Sequence, residues 1–266
     1  DWQFTFDMAL DGILDAYEGV KEKASTFIGF LKSAPKIDGF FHTSFNVVTG
    51  SAHEFRDPGG PYSWLGIMAA HSIEETGDKD GSKLRFVQDI ADSLIGLMNS
   101  SNNFKFVINL PDGNTLKAGI IPLGPDKRNS VSLEHIIDHY VLFRYLGEKI
   151  PGQEGDKYRE ARDRLGNFLK SPVSRGGAYV AEEGRFIRGI RDITKFSQGN
   201  RGNDVVDYTV ATDVQAWGAS IADYLGLDAR KFVNFAERSC EVEVNFNGWK
   251  VKGFDFFNIK AINEKV

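Results

Sequence analysis

The chain has 266 residues, 41% hydrophobic and 26% charged, a balance that fits a globular protein with a large core in one or two domains. Its net charge of −5, without any run of basic residues, argues against nucleic acid or an anionic membrane as a partner. The single cysteine, Cys240, excludes an intrachain disulfide and any multi-cysteine metal site, and no stretch approaches the ~20 apolar residues of a membrane span.

The chain opens on Asp1-Trp2, with no initiator Met, signal peptide or transit peptide, as expected of a mature or trimmed form. The compartment stays open, with an extracytoplasmic or secreted location favoured over the cytoplasm; the oligomeric state is equally open. Residues 4–34 are expected to be helical in two pieces. Met8, Leu10, Ile13, Leu14 and Tyr17 form the first apolar stripe, Phe27, Ile28, Phe30 and Leu31 form the second, and Pro35 ends it. Residues 36–55 read as a hairpin turning at Thr49-Gly50.

A unit of inner helix, outer helix and hairpin then repeats three times. The inner helices are predicted at 62–77, 131–147 and 212–226, each ending on a glycine (Gly77, Gly147, Gly226). The outer helices follow at 82–98, 156–169 and 228–239. The middle one has a single stripe (Tyr158, Ala161, Leu165, Phe168, Leu169) on a charged rod, as a half-solvated helix should. Hairpins are predicted at 104–121, 178–190 and 242–254, around Pro111-Asp112-Gly113-Asn114, Glu183-Gly184 and Asn247-Gly248. Each hairpin ends near a glycine (Gly119, Gly189, Gly253), giving a period near seventy residues and suggesting a solenoid or a closed ring of helical hairpins. Loops 56–61, 122–130 and 192–206 feed the three inner helices. The third is the longest and most polar, and loops above about twelve residues are usually functional or disordered.

The inner helix at 131–147 is apolar most of the way round (Leu133, Ile136, Ile137, Tyr140, Leu142, Phe143, Leu146) and carries Glu134, His135 and Asp138 at its start. Counting thirteen residues back from each stop glycine gives Trp64, Glu134 and Asp213, which places these three in one register. Paired carboxylates at the starts of adjacent helices suit acid/base work, although an acidic residue in a first turn often only satisfies the helix terminus. An acid role needs burial or a like charge to offset the helix dipole.

Ser132-Leu133-Glu134-His135-Ile136-Ile137-Asp138-His139-Tyr140 and Thr212-Asp213-Val214-Gln215-Ala216-Trp217-Gly218 resemble motifs of six-hairpin glycosidase-like proteins. Gly253-Phe254-Asp255-Phe256 is similar to the hairpin that precedes a further inner helix in that family. The resemblance implies a mainly α fold with short β-hairpins, an (α/α) toroid forming a single domain over 1–266. About three to four of six helical hairpins are present, so either the ring is open or the chain belongs to a longer protein. It also implies carbohydrate binding or cleavage where the inner helices begin.

On that reading Glu134 and Asp213 are the catalytic candidates of a glycoside hydrolase acting on an oligo- or polysaccharide. Trp64 and Trp217 are candidate sugar platforms, because tryptophan offers a large flat apolar face. Tyr62, Tyr208, Gln215, Arg201 and Asp207 are candidate polar contacts, each also readable as a structural cap or loop residue. Asp138, one turn from Glu134, either tunes it or pairs with a neighbouring helix. His135 and His139 have metal-compatible i, i+4 spacing, but without an H-E-x-x-H pattern two hydrogen-bonded histidines are the better reading; no metal or cofactor is expected. Trp249 reads as packing and Cys240 as a buried structural thiol. The alternatives are a non-catalytic sugar- or peptide-binding scaffold, and a polysaccharide lyase with Tyr208 or His135 as base.

Overall fold

In the computed structural model, residues 2–20, 22–78 and 81–257 are described. In chain order the elements are β1 (Trp2–Phe4), α1 (Thr5–Tyr17), α2 (Glu22–Ser33), β2 (Lys36–Ile37), β3 (Phe40–Phe41), β4 (Ser44–Asn46), β5 (Ala52–Glu54), α3 (Gly59–Thr76), α4 (Ser82–Asn99), β6 (Lys105–Asn109) and β7 (Thr115–Gly119). They continue with β8 (Val131–Ser132), α5 (Leu133–Lys149), α6 (Gly152–Lys170), β9 (Tyr179–Val180), β10 (Arg185–Phe186), β11 (Gly189–Ile190) and α7 (Ile193–Ser197). The last are β12 (Val206–Asp207), α8 (Thr212–Leu225), α9 (Ala229–Cys240), β13 (Glu241–Phe246) and β14 (Trp249–Phe254). The expected alternation of helix pairs and short hairpins is therefore present. The further inner helix anticipated after Phe256 lies outside the described residues.

The residues divide into two compact units, one of Asp1–Lys105, Ile120–Arg128 and Asp138–Asp163, the other of Phe106–Gly119, Asn129–Ile137 and Arg164–Val266. In the first unit α3 is buried on most sides, with Tyr62, Leu65, Met68, Ala69 and Ile73 inside together with Gly59, Gly60, Ser63, Gly66, Ala70 and Ser72. Helix α4 buries one stripe, Phe86, Val87, Ile90, Ala91, Leu94 and Met98, at the spacing of an outer helix.

Helix α1 corrects the expected stripe. Leu10, Leu14 and Tyr17 are exposed, and the buried face is Met8, Ala9, Gly12 and Ala16. Small residues win this face because α1 lies very close to α3: a Cβ on Gly12 would sit 2.5 Å from Met68 Sδ. The segment after α2 is also more divided than expected. It forms two short antiparallel pairs, β2 with β3 and β4 with β5, and β1 adds to β4. Asp38 and Gly39 turn the first pair at φ of 50° and 85°, the left-handed conformation of a tight hairpin turn.

A second correction concerns Gly147, which lies inside α5 and does not end it. Its missing side chain lets Arg159 of α6 approach, since a Cβ there would be 2.9 Å from Arg159 Cγ. The helix ends at Lys149, before Pro151.

In the second unit α8 and α9 pack around Phe186 and Phe232, whose rings are 4.8 Å apart. Gly218 lets α8 reach both rings, leaving only 2.9 Å and 3.0 Å to a Cβ. Loop 192–206 is ordered by α7 and by Arg201, which donates to the carbonyls of Val173, Phe196 and Asn200 and stacks over Phe196. Arg201 thus holds backbone in place, which is the structural loop role the sequence also allowed for it. The β13–β14 hairpin turns at Asn247-Gly248 in the predicted way (φ 50° and 85°), with Phe246 opposite Trp249. Trp249 is 75% exposed, so the packing expected of it is absent. Cys240 is buried as expected. No helix among the described residues is long and apolar enough to cross a membrane.

Candidate active site

Three two-residue strands, each too short to show a pattern in the sequence, assemble the site. Strand β11 is the centre of a sheet with β8 on one side and β12 on the other, both antiparallel to it. Strand β8 runs straight into α5, and the Leu133 N–H donates to the Arg188 carbonyl at 2.9 Å. The Arg188 N–H in turn donates to the Asp207 carbonyl at 2.8 Å. Gly189 is required by this closeness: a Cβ there would stand 2.3 Å from the Val131 carbonyl oxygen. The sheet thereby brings the start of α5 together with Arg188 and Asp207.

Glu134 is the second residue of α5 and Asp213 the second of α8, so the shared register holds when counted from the helix starts. Both are half-buried. The start of α8 is fixed by the segment after β14: the Thr212 N–H donates to the Phe256 carbonyl at 3.0 Å and the Thr212 hydroxyl to the Asp255 carbonyl. Asp213 Oδ1 accepts from the Val214 N–H at 2.7 Å. Neither carboxylate is in an ion pair among the described residues; the arginine-bound carboxylate is Asp207, 3.4 Å from Arg188 Nη1 and 3.0 Å from Arg191 Nη2.

Burial pushes the Glu134 carboxyl up to about 7, the Asp213 charge pushes it in the same direction, and Arg188 opposes both. Burial also raises Asp213 above the usual carboxylate range, against the Val214 N–H bond and Arg188. Desolvation therefore outweighs the helix dipole at both positions. The charge of Asp213 raises Glu134, which makes Asp213 the member that ionises first and Glu134 the one that keeps its proton into the neutral range.

This gives a stability prediction independent of function. The folded state holds the Glu134 proton more tightly than the unfolded chain, so its contribution is complete below the unfolded carboxylate value and is lost as pH rises towards 7. Glu134→Gln removes that loss. The variant should gain about 1–3 kcal/mol relative to the parent between pH 4 and pH 8, read from denaturant midpoints.

The other sequence candidates separate. Trp217 lies one turn beyond Asp213 on α8, on the same face and half-buried. His135 adjoins Glu134 and is half-buried. The Tyr208 hydroxyl donates to the Arg201 carbonyl at 3.1 Å, and burial raises its pKa. Gln215 is fully buried and faces no ligand: its Oε1 accepts from the Phe186 N–H at 3.1 Å and its Nε2 donates to the Phe186 carbonyl at 3.2 Å. It acts as an extra strand partner for β10. Gln215→Leu should therefore cost about 1–3 kcal/mol, because it takes the side-chain acceptor from the buried Phe186 N–H and leaves the Phe186 carbonyl with the Arg185 guanidinium alone, measurable as a lower urea midpoint.

Tyr62, Trp64, Asp138 and His139 belong to the first unit. Tyr62 is buried, donates to the Gly39 carbonyl at 2.8 Å and packs against Phe40 and Phe41, so it is a core residue and not a rim contact. Trp64 sits in the second turn of α3, not at its start as the count from Gly77 implied, with its ring edge-on to Phe6 at 5.3 Å. Asp138 and His139 are buried, and His139 Nδ1 lies 2.5 Å from Ser63 Oγ, a hydrogen-bonded histidine. Arg188 was not visible as a candidate in the sequence; the only signal was its place beside Gly189, one of the three repeat glycines.

No protein-family model and no curated protein sequence matches the chain. Solved structures do match. A cold-adapted family 8 xylanase aligns with a TM-score of 0.59 at 10% identity, over 90% of this chain and 60% of that one. A reducing-end-xylose releasing exo-oligoxylanase aligns with 0.52 at 13% identity, over 83% and 55%. A family 76 glycoside hydrolase from a bovine Bacteroides thetaiotaomicron strain aligns with 0.53 at 13% identity, over 95% and 52%. The chain thus spans just over half the length of each of these three structures. These matches and the order of helix pairs and hairpins agree, and the chain has an (α/α) toroid fold.

Proposed function

We propose that the chain is a glycoside hydrolase acting on an oligo- or polysaccharide, with Glu134 as proton donor and Asp213 as its carboxylate partner. The observation that carries this reading is the unequal carboxyl pair: one acid held protonated into the neutral range beside one that ionises before it, both in the second position of a helix. Unequal proton affinities in a pair of carboxyls are what glycosidic cleavage uses. Glu134 gives its proton to the glycosidic oxygen as the bond from that oxygen to the anomeric carbon breaks. Asp213 serves the anomeric carbon, either by taking a proton from the attacking water or by attacking directly. Trp217, one turn along the same face of α8, offers an apolar ring for a sugar.

The fold adds support, since the structures matched include a xylanase, an exo-oligoxylanase and a family 76 glycoside hydrolase. A purely structural pair would be expected in ion pairs with arginine, and that description fits Asp207 and not Glu134 or Asp213. A lyase base at Tyr208 is disfavoured, because burial makes its hydroxyl harder to ionise and it already donates to a carbonyl.

The test is reducing-sugar release from a panel of oligosaccharides, with xylo-oligosaccharides first because an exo-oligoxylanase among the matches was solved with xylobiose. Hydrolysis by the parent chain and its loss in folded Glu134→Gln and Asp213→Asn variants is the expected result. Full activity in either folded variant, or no cleavage of any panel member, overturns the reading.

A further inference from the structure

Three hairpins are each covered by the outer helix that follows them. Phe41 of β3 packs on Phe86 of α4, with ring centres 6.0 Å apart. Phe106 of β6 packs on Phe168 of α6 at 6.2 Å, and Phe186 of β10 on Phe232 of α9 at 4.8 Å. No helix pair follows β13–β14 among the described residues, and one face of that hairpin is bare. Val244 lies opposite Val251 and Phe246 opposite Trp249, and all four are exposed, the two rings by 67% and 75%. The other face carries the ion pairs Glu243–Lys250 and Glu241–Lys252. The strand pair is therefore amphipathic, as a covered hairpin is, whereas an isolated two-stranded hairpin is only marginally stable in water.

The first helix pair offers the complement. Only the single strand β1 precedes α1 among the described residues, so no preceding hairpin covers α2. Phe27 and Phe30 of α2 line an open cavity of 440 Å³ together with Met8, Phe45, Val47 and Val48. A cavity of about 150 Å³ takes up benzene, so this one has room for both rings of the hairpin. None of the residues lining it is charged, and none on the bare face of the hairpin is, so no charge loses water when the two meet.

We propose that β13–β14 of one copy of the chain docks into the α2 cavity of a second copy, with Trp249 and Phe246 entering beside Phe27, Phe30 and Val48. Area decides between one contact and two. The bare face exposes about 450 Å² of apolar surface, so a single contact buries about 900 Å² in all, below the ~1,000 Å² of a specific interface. Made reciprocally by both copies, the contact buries about 1,800 Å², the size of a stable dimer. The assembly is therefore a dimer with two equal contacts. The hairpin leads into the Asp255 and Phe256 carbonyls that hold Thr212, so docking also ties down the start of α8 next to Asp213. None of this depends on the hydrolase reading.

The experiment is sedimentation equilibrium on the parent chain, Trp249→Ser, Trp249→Phe and Val48→Glu. Val48 is 82% exposed and Trp249 is equally outside the core, so each variant keeps the fold of the single copy. The parent should be a dimer at micromolar concentration. Trp249→Ser and Val48→Glu should each weaken the dimer by about 30-fold or more, the worth of a buried anchor residue, and Trp249→Phe by much less. A monomeric parent, or a Trp249→Ser variant that dimerises like the parent, overturns the proposal. Dissociation by Trp249→Ser without any effect of Val48→Glu means that the hairpins pair with one another, and overturns the role of α2. A monomeric parent whose tryptophan emission shifts with xylo-oligosaccharide, a shift absent from Trp249→Ser, makes the bare face a sugar platform and overturns the dimer as well.

Discussion

Glu134→Gln is expected to lower kcat on an unactivated oligosaccharide by about 10²–10⁴-fold, the usual worth of a positioned general acid. The amide has nearly the shape of the acid and no proton to give, so far-ultraviolet circular dichroism, and Tm at pH 4, where the acid is protonated in the folded protein, should match the parent. Leaving-group chemistry sharpens the test. An alkoxide leaving from a sugar–sugar bond needs the proton, whereas a nitrophenolate does not, so nitrophenyl glycosides should lose much less rate. The alkaline limb of the pH profile should also vanish, because in the parent it reports the Glu134 proton being lost near 7. A folded variant that keeps its activity, or one that loses equally on both substrate types, removes Glu134 from the acid role.

The physical reason Glu134 and Asp213 were legible in the sequence is helix periodicity. An inner helix is apolar nearly all round, so a charged residue at its start stands out, and Leu133 to Leu146 shows this directly. The same signal located the outer helices, whose single stripes on charged rods survive intact in α4 and α6. Periodicity failed in two kinds of place. In α1 it favoured large side chains, while the packed face is built from Gly12 and Ala16, where small size and not hydrophobicity decides the contact. Strands β8, β11 and β12 have two residues each, too few for alternation to register, and they are what brings Arg188 and Asp207 to the start of α5. Gln215 and Tyr62 illustrate a third limit. Their polar groups suggested ligand contacts, and both prove to satisfy buried backbone, a distinction that side-chain type alone does not contain.

Gly189→Ala tests whether that short sheet builds the site, and Gly253→Ala is its control. The two glycines hold equivalent places in the sequence repeat, yet their surroundings differ. A Cβ on Gly189 would meet the Val131 carbonyl oxygen at 2.3 Å, backbone that moves only if β8 and β11 part. A Cβ on Gly253 meets nothing within 4 Å. Gly189→Ala should therefore cost about 1–3 kcal/mol in stability, as overpacking of a tight contact does. It should also cost activity beyond the loss of fold, because β8 leads into Leu133 and Glu134 and the Arg188 carbonyl holds the Leu133 N–H. A displacement of about 1 Å at a reacting group is enough for roughly 10²-fold in rate. Gly253→Ala should stay within about 0.5 kcal/mol of the parent with rate unchanged. Urea denaturation and steady-state rates on the same two proteins decide the matter. A Gly189→Ala variant that keeps both stability and rate would mean that β8 and β11 can separate without moving Glu134, and that the sheet is a consequence of how α5 and α8 pack and not the device that aligns them.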